Sequence, residues 1–339
     1  MNILGISMSP SDQGLSLLRD GKIYNTVYGD AITPLSLQGF LGSCEITLQE
    51  LDLLAISDRP SEQWQRILRT GFSMGLEGAA LFVKEMVPQM RSKRWMDKCF
   101  GGKSDFQGEM LLVGRHESLA AATFFQSGFE DAAIVTMDSG LERVACACGT
   151  GAFNQVAIDA EQNYPHSLEL FYLAFLPVIG LKGEETDRFA ELTAAGKPKY
   201  SDQIFTKLLD LKEDGSFRLD MNYFSHANGL SLCMQNFREA LGWYTAPVGT
   251  IGTKERDLAC SLAVVMEEIL LRMLRYSNKI SSMKNLCINN NRSFSCLDSA
   301  SLVKASGFEN LHVQDIHSSA TGAALYAWHQ HLNLSNKTH

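Results

Sequence analysis

Two runs joined by a short loop decide how this chain is read: Arg115-His116-Glu117-Ser118-Leu119-Ala120-Ala121-Ala122-Thr123-Phe124-Phe125, then Asp131-Ala132-Ala133-Ile134-Val135-Thr136-Met137-Asp138-Ser139-Gly140. The first predicts a helix whose alanines let it approach a sheet closely. Gly128 makes the turn. Ile134 and Val135 predict a buried strand, with Asp138 at its exit. A carboxylate where a strand ends and glycine turns the chain is placed to face a cleft. On composition alone, His116 and Glu117 read as solvated residues of a helix start, and Asp138 as a turn cap.

Working outward, the N-terminal segment gives a strand at Ile3–Ile6, a polar loop through Asp12, a strand at Leu15–Leu18, the hairpin signal Asp20-Gly21 and a strand at Lys22–Val27. A three-stranded meander followed by helices and further strands predicts an RNase H-like unit. The chain has 339 residues, 45% of them hydrophobic and 20% charged. That length suits two such units rather than one small core. The expected fold is therefore α/β, a duplicated RNase H-like architecture of the actin-like ATPase superfold. The expected subdomains are residues 1–153 and 154–332, the last helix packing back on the first, with a tail at 333–339.

Further strands are expected at Leu51–Ser57, Arg143–Cys148, Asn285–Ile288 and Leu311–Gln314. A periodic helical stretch runs from Gln63 to Met90, and a basic loop from Arg91 to Gly108. Pro165-His166-Ser167-Leu168 opens a helix through Phe175, with the proline near its first turn. Asp214-Gly215 is a second hairpin signal, and Asp257–Arg275 an amphipathic helix.

The formal charge of -8 argues against a general nucleic-acid binder. No apolar run approaches ~18 residues, so no membrane span is expected, and the N-terminus lacks the features of a signal peptide. The eight cysteines include no Cys-x-x-Cys unit. They read as reduced core residues of a cytoplasmic protein.

Several of these stretches together resemble the O-carbamoyltransferases of the antibiotic and nodulation-factor type. There the helix start reads His-His-x-Ser-His-Ala-Ala and the following strand ends Asp-Gly. The words Pro165-His166-Ser167-Leu168, Gly196-Lys197-Pro198-Lys199-Tyr200 and Asp257-Leu258-Ala259 are close matches in the same order. The resemblance implies metal-ligand positions at Arg115, Leu119, Asp138 and Ser319, of which only Asp138 keeps a ligand. It places Asp12, Asn290 and Asn291 at the cofactor-binding loops, with asparagines where the family has a glycine loop. It retains Glu142, puts Arg188 where the family has a lysine, and leaves His116 and His166 beside them.

The resemblance implies a divalent metal, ATP and carbamoyl phosphate, and a C-terminal activating domain that is expected to be absent here. No cofactor is therefore expected here. The favoured reading is a diverged carbamoyltransferase homologue from a biosynthetic pathway. It would act as a partner or scaffold subunit, as a homodimer or a heteromer with an intact carbamoyltransferase or pathway enzyme, without metal-dependent O-carbamoyl transfer on its own. The alternative is a metal-independent acyl or carbamoyl transferase receiving an activated acyl group from a separate protein. Asp138 would then be general base and Arg188 a phosphate-stabilising cation, with Glu142, His116 and His166 as the remaining catalytic candidates. A phosphotransferase of the same superfold would need glycines after Ile6 and Ile288, and neither place has them. A salt bridge from Arg115 to Asp138 is expected to replace the metal.

Overall fold

The computed structural model describes residues 1–9, 12–29, 32–57, 106–138, 143–182, 185–225, 230–242, 251–289, 294, 296–314 and 318–332. The helical stretch expected at Gln63–Met90, the basic loop up to residue 105 and the tail at 333–339 lie outside them.

The apolar run Asn2–Ser7 is a central strand, β1. Gly14–Arg19 (β2) and Lys22–Tyr28 (β3) follow as an antiparallel meander. Asp20 and Gly21 both take positive φ, 51° and 78°, as a tight two-residue hairpin requires. Helix α1, Pro34–Ser43, starts at a Thr33–Ser36 capping box. It leads to β4, Leu53–Ser57, parallel to β1, and β5, Glu109–Val113, parallel to β4. The first sheet thus has the order β3-β2-β1-β4-β5.

Helix α2, Arg115–Phe125, then crosses to the second sheet. Its strands β6 (Asp131–Met137), β7 (Val144–Ala152) and β8 (Gln155–Asn163) form a second antiparallel meander. Helices α3 (Leu168–Ile179) and α4 (Thr186–Ala195) follow, then the short strands β9 (Leu209–Leu211), β10 (Phe217–Leu219), β11 (Phe224–Ser225) and β12 (Ser231–Leu232). Helices α5 (Met234–Leu241) and α6 (Thr253–Ser281) precede β13 (Asn285–Asn289), parallel to β6. Helix α7 (Ser299–Ser306) leads to β14 (Asn310–Gln314), parallel to β13. The second sheet reads β8-β7-β6-β13-β14. Both sheets are a meander continued by two parallel strands on the side of its first strand. That repeated order is the duplicated RNase H-like fold.

The final helix α8, Ser319–Tyr326, returns to the first sheet. Its Ala323, Ala324 and Leu325 share a core with Ile3, Leu18, Leu53, Ala55 and Val113. The largest core lies in the second half, where α3 and α6 cover the sheet.

Two expectations need correcting. The boundary at 153/154 falls between β7 and β8, which pair with each other inside the second sheet. The sheets change over across α2, between Val113 and Asp131. The cause is β8, whose outward Asp159 and Glu161 give an edge strand too polar to read as one. Pro165 also lies outside the helix it was expected to open. Ser167 is the N-cap, accepting a hydrogen bond from the Leu170 amide, and the helix runs on to Ile179 before a left-handed Gly180.

Candidate functional site

Asp12 follows β1, and Arg115 begins α2 directly after β5. Asp138 directly follows β6, and Ser319 begins α8. The fold brings these four to the junction of the two sheets. Arg115 Nη2 donates to Asp138 Oδ1 at 2.9 Å. The same nitrogen lies 3.7 Å from Asp12 Oδ2, and that oxygen accepts the Ser319 amide at 3.1 Å. Arg115, Asp12 and Asp138 are only 3%, 2% and 6% exposed. A guanidinium therefore stands between a carboxylate of the first half and one of the second. The salt bridge expected from the sequence is present.

The backbone of Asp138 is held at both its amide and its carbonyl. Its amide donates to the Ala145 carbonyl at 2.9 Å. Its own carbonyl accepts from Ser167 Oγ at 3.2 Å. One residue earlier, Asn289 accepts the Met137 amide at 2.7 Å and donates to the Met137 carbonyl at 2.8 Å. Asn289 thereby continues the β6–β13 pairing with its side chain, up to the carboxylate. Sequence reading missed Asn289 and the bond from Ser167 to Asp138. The only signal it had is that Asn289, the first of three consecutive asparagines, closes an apolar strand.

The other candidates separate. His116 is buried, not solvated as its place at a helix start suggests. Its Nε2 faces the Val144 carbonyl at 3.1 Å and must donate, since a carbonyl only accepts. Its Nδ1 then accepts from Thr136 Oγ1 at 2.7 Å. Burial, the largest cause, lowers its pKa and keeps the ring neutral. His116 is thus a crosslink between α2, β6 and β7. His166 Nδ1 accepts the Leu219 amide at 3.1 Å, tying the β8–α3 turn to β10. Burial first, and Arg218 second, lower its pKa. Arg188 is 56% exposed on α4 and pairs with Glu191 of its own helix at 3.6 Å. Glu142, Asn290 and Asn291 lie outside the described residues.

The implied metal does not fit the donor set at the junction. Arg115 holds a permanent positive charge against Asp138, and the side chain of Leu119 is buried and apolar. Among the described residues, no group of three or more His, Cys, Asp or Glu side chains is arranged to hold a metal ion. Ser7, Ser118, Ser318 and Ser319 instead bury hydroxyls with no hydrogen-bond partner among the described residues, positions that ordered water satisfies in folded proteins. Cys44, Cys146, Cys148 and Cys287 are buried, whereas Cys233, Cys260 and Cys296 are partly exposed. Burial raises the Cys146 thiol and pushes Cys148 up to about 12.

The residues that carry this geometry sit inside a recognised family. Residues 37–325 match the model of the carbamoyltransferase N-terminus. The chain belongs to the carbamoyltransferase family. The uncharacterized protein sll1178 of Synechocystis sp. is 31% identical over 98% of this chain and 57% of its own length. The nodulation protein NolO of Bradyrhizobium diazoefficiens is 24% identical, over 60% of this chain and 35% of its own. The nodulation protein NolNO of Sinorhizobium fredii is 23% identical, over 89% and 44%. The chain thus spans roughly a third to somewhat over half the length of these relatives. Among solved structures, component A of (R)-2-hydroxyglutaryl-CoA dehydratase from Acidaminococcus fermentans aligns over 97% of this chain and 98% of its own, with 12% identity and a TM-score of 0.47. Among the described residues, no helix is long and apolar enough to cross a membrane.

Proposed function

We propose that this carbamoyltransferase-family chain serves as a partner or scaffold domain in a biosynthetic pathway and does not carry out metal-dependent O-carbamoyl transfer by itself. The observation behind this is the bond from Arg115 to Asp138. It fills the one remaining ligand position with a fixed internal cation, so a divalent ion there would meet both charge repulsion and too few donors. The scaffold around it is kept: both sheets, their junction and the helices that cover them. His116 and His166 have ring nitrogens committed to structural bonds, and Arg188 faces solvent. Those placements favour the scaffold reading over metal-independent transfer.

The partner is a second copy of the chain or an intact carbamoyltransferase, over a surface expected to bury more than ~1,200 Å². Light scattering at micromolar concentration, on the chain alone and mixed with an intact carbamoyltransferase encoded beside it, tests this. A dimer, or a mixed complex of defined mass, is the expected result. A chain that stays monomeric and ignores the intact enzyme would overturn the reading.

A further inference from the structure

Away from the junction, α6, α7 and the segment Ile204–Leu211 line an open groove of about 820 Å³. That size suits a small organic molecule. Phe205, Leu211, Val264 and Leu271 supply apolar walls, and Glu267, Glu268, Asp210 and Arg272 the polar groups.

The charges there are unequally matched. Arg272 Nε donates to Glu268 Oε1 at 2.7 Å, and Arg272 Nη1 to the Lys212 carbonyl at 3.3 Å. Lys212 Nζ lies 2.7 Å from Asp210 Oδ2. The two nearby cations are thus each engaged by another carboxylate. Glu267 takes part in no hydrogen bond or ion pair among the described residues. Its charged neighbour is Asp298, whose carboxylate is held ionised by two bonds from Ser301. Burial first, and Asp298 second, raise the Glu267 pKa. A half-buried carboxyl on an apolar wall, with an anionic neighbour, is stabilised by a cation that brings its own apolar body.

We propose that this groove is a binding site for an organic cation, an amine or guanidinium on an apolar stem, with Glu267 as the group that pairs with the charge. The ammonium or guanidinium sits on the Glu267 carboxylate, and the stem lies along Val264, Leu271 and Phe205. The inference is independent of the partner reading above.

Calorimetric titration of the full chain with phenylbutylamine tests it, using phenylbutanol and phenylbutyrate as neutral and anionic counterparts. The amine is expected to bind at least about tenfold more tightly than either, the value of one charge-assisted bond. Glu267→Gln is expected to bring the amine down to the level of the alcohol with the melting temperature unchanged. Val264→Asp, at a position already partly exposed, adds a second carboxylate to the same wall and is expected to widen the preference for the amine. Equal binding of the three compounds, an advantage that survives Glu267→Gln, or no widening in Val264→Asp would each overturn the proposal.

Discussion

Arg115 and Asp138 lie 23 positions apart and close a buried ion pair at 2.9 Å, with Asp12 on the far side of the same nitrogen. The pair ties the start of α2 to the exit of β6, where the two sheets meet. Removing the cation strands two buried carboxylates. Arg115→Leu is therefore expected to destabilise the chain by about 3–5 kcal/mol. Arg115→Lys keeps the charge but not the fork geometry and should lose less. Chemical denaturation of both variants checks the order. Equal losses would mean that packing of the arginine stem, not its charge, matters.

A second expectation concerns Asn289, whose side chain satisfies both polar groups of Met137. Asn289→Leu leaves a buried amide and a buried carbonyl without partners, at about 1–3 kcal/mol each. Amide hydrogen exchange should then rise at Met137 and Asp138 ahead of the rest of β6. Exchange unchanged at those two amides would show that Asn289 does not hold the strand exit.

The fold was largely legible because its signals are local. Asp20-Gly21 marks a hairpin by backbone geometry alone, and the alanines of α2 announce a close approach. What was hidden depends on long-range placement. His116 looks like a solvated helix start until β6 and β7 fold over it. Asp138 and Arg115 were readable as a pair, whereas Asn289 and the Ser319 amide reach the site from more than 150 residues away from Asp138. The strand β8 was missed because one of its faces is charged.

His116 sets a pH dependence. Its folded pKa is lowered from 6.5 by burial, so the unfolded chain takes up its proton first as pH falls. The stability it contributes is full above pH 6.5 and is lost as pH drops below that value toward the folded pKa. His116→Gln should flatten this part of the stability profile, relative to the unsubstituted chain, when unfolding is followed between neutral and acidic pH. A profile that stays equally steep would place the titration elsewhere.

Helices α2 and α8 cross at Gly322, where an added Cβ would run into the Ser118 carbonyl. Backbone on both sides leaves no flexible atom to yield. Gly322→Ala should destabilise by about 1–3 kcal/mol, whereas Gly39→Ala inside α1, where a Cβ meets open space, should stabilise by about 0.4–1 kcal/mol. Thermal unfolding of the two variants provides the comparison, and equal melting temperatures would contradict the close crossing.

The most direct test of the central claim, that the Arg115 guanidinium occupies the place of a metal, is elemental analysis of the purified chain after equilibration with ferrous, zinc and manganese ions. The expected result is far less than one transition-metal ion per chain for each of them. About one tightly bound ion per chain, lost on Asp138→Asn, would contradict it, because that ion would then hold the carboxylate that Arg115 is argued to occupy.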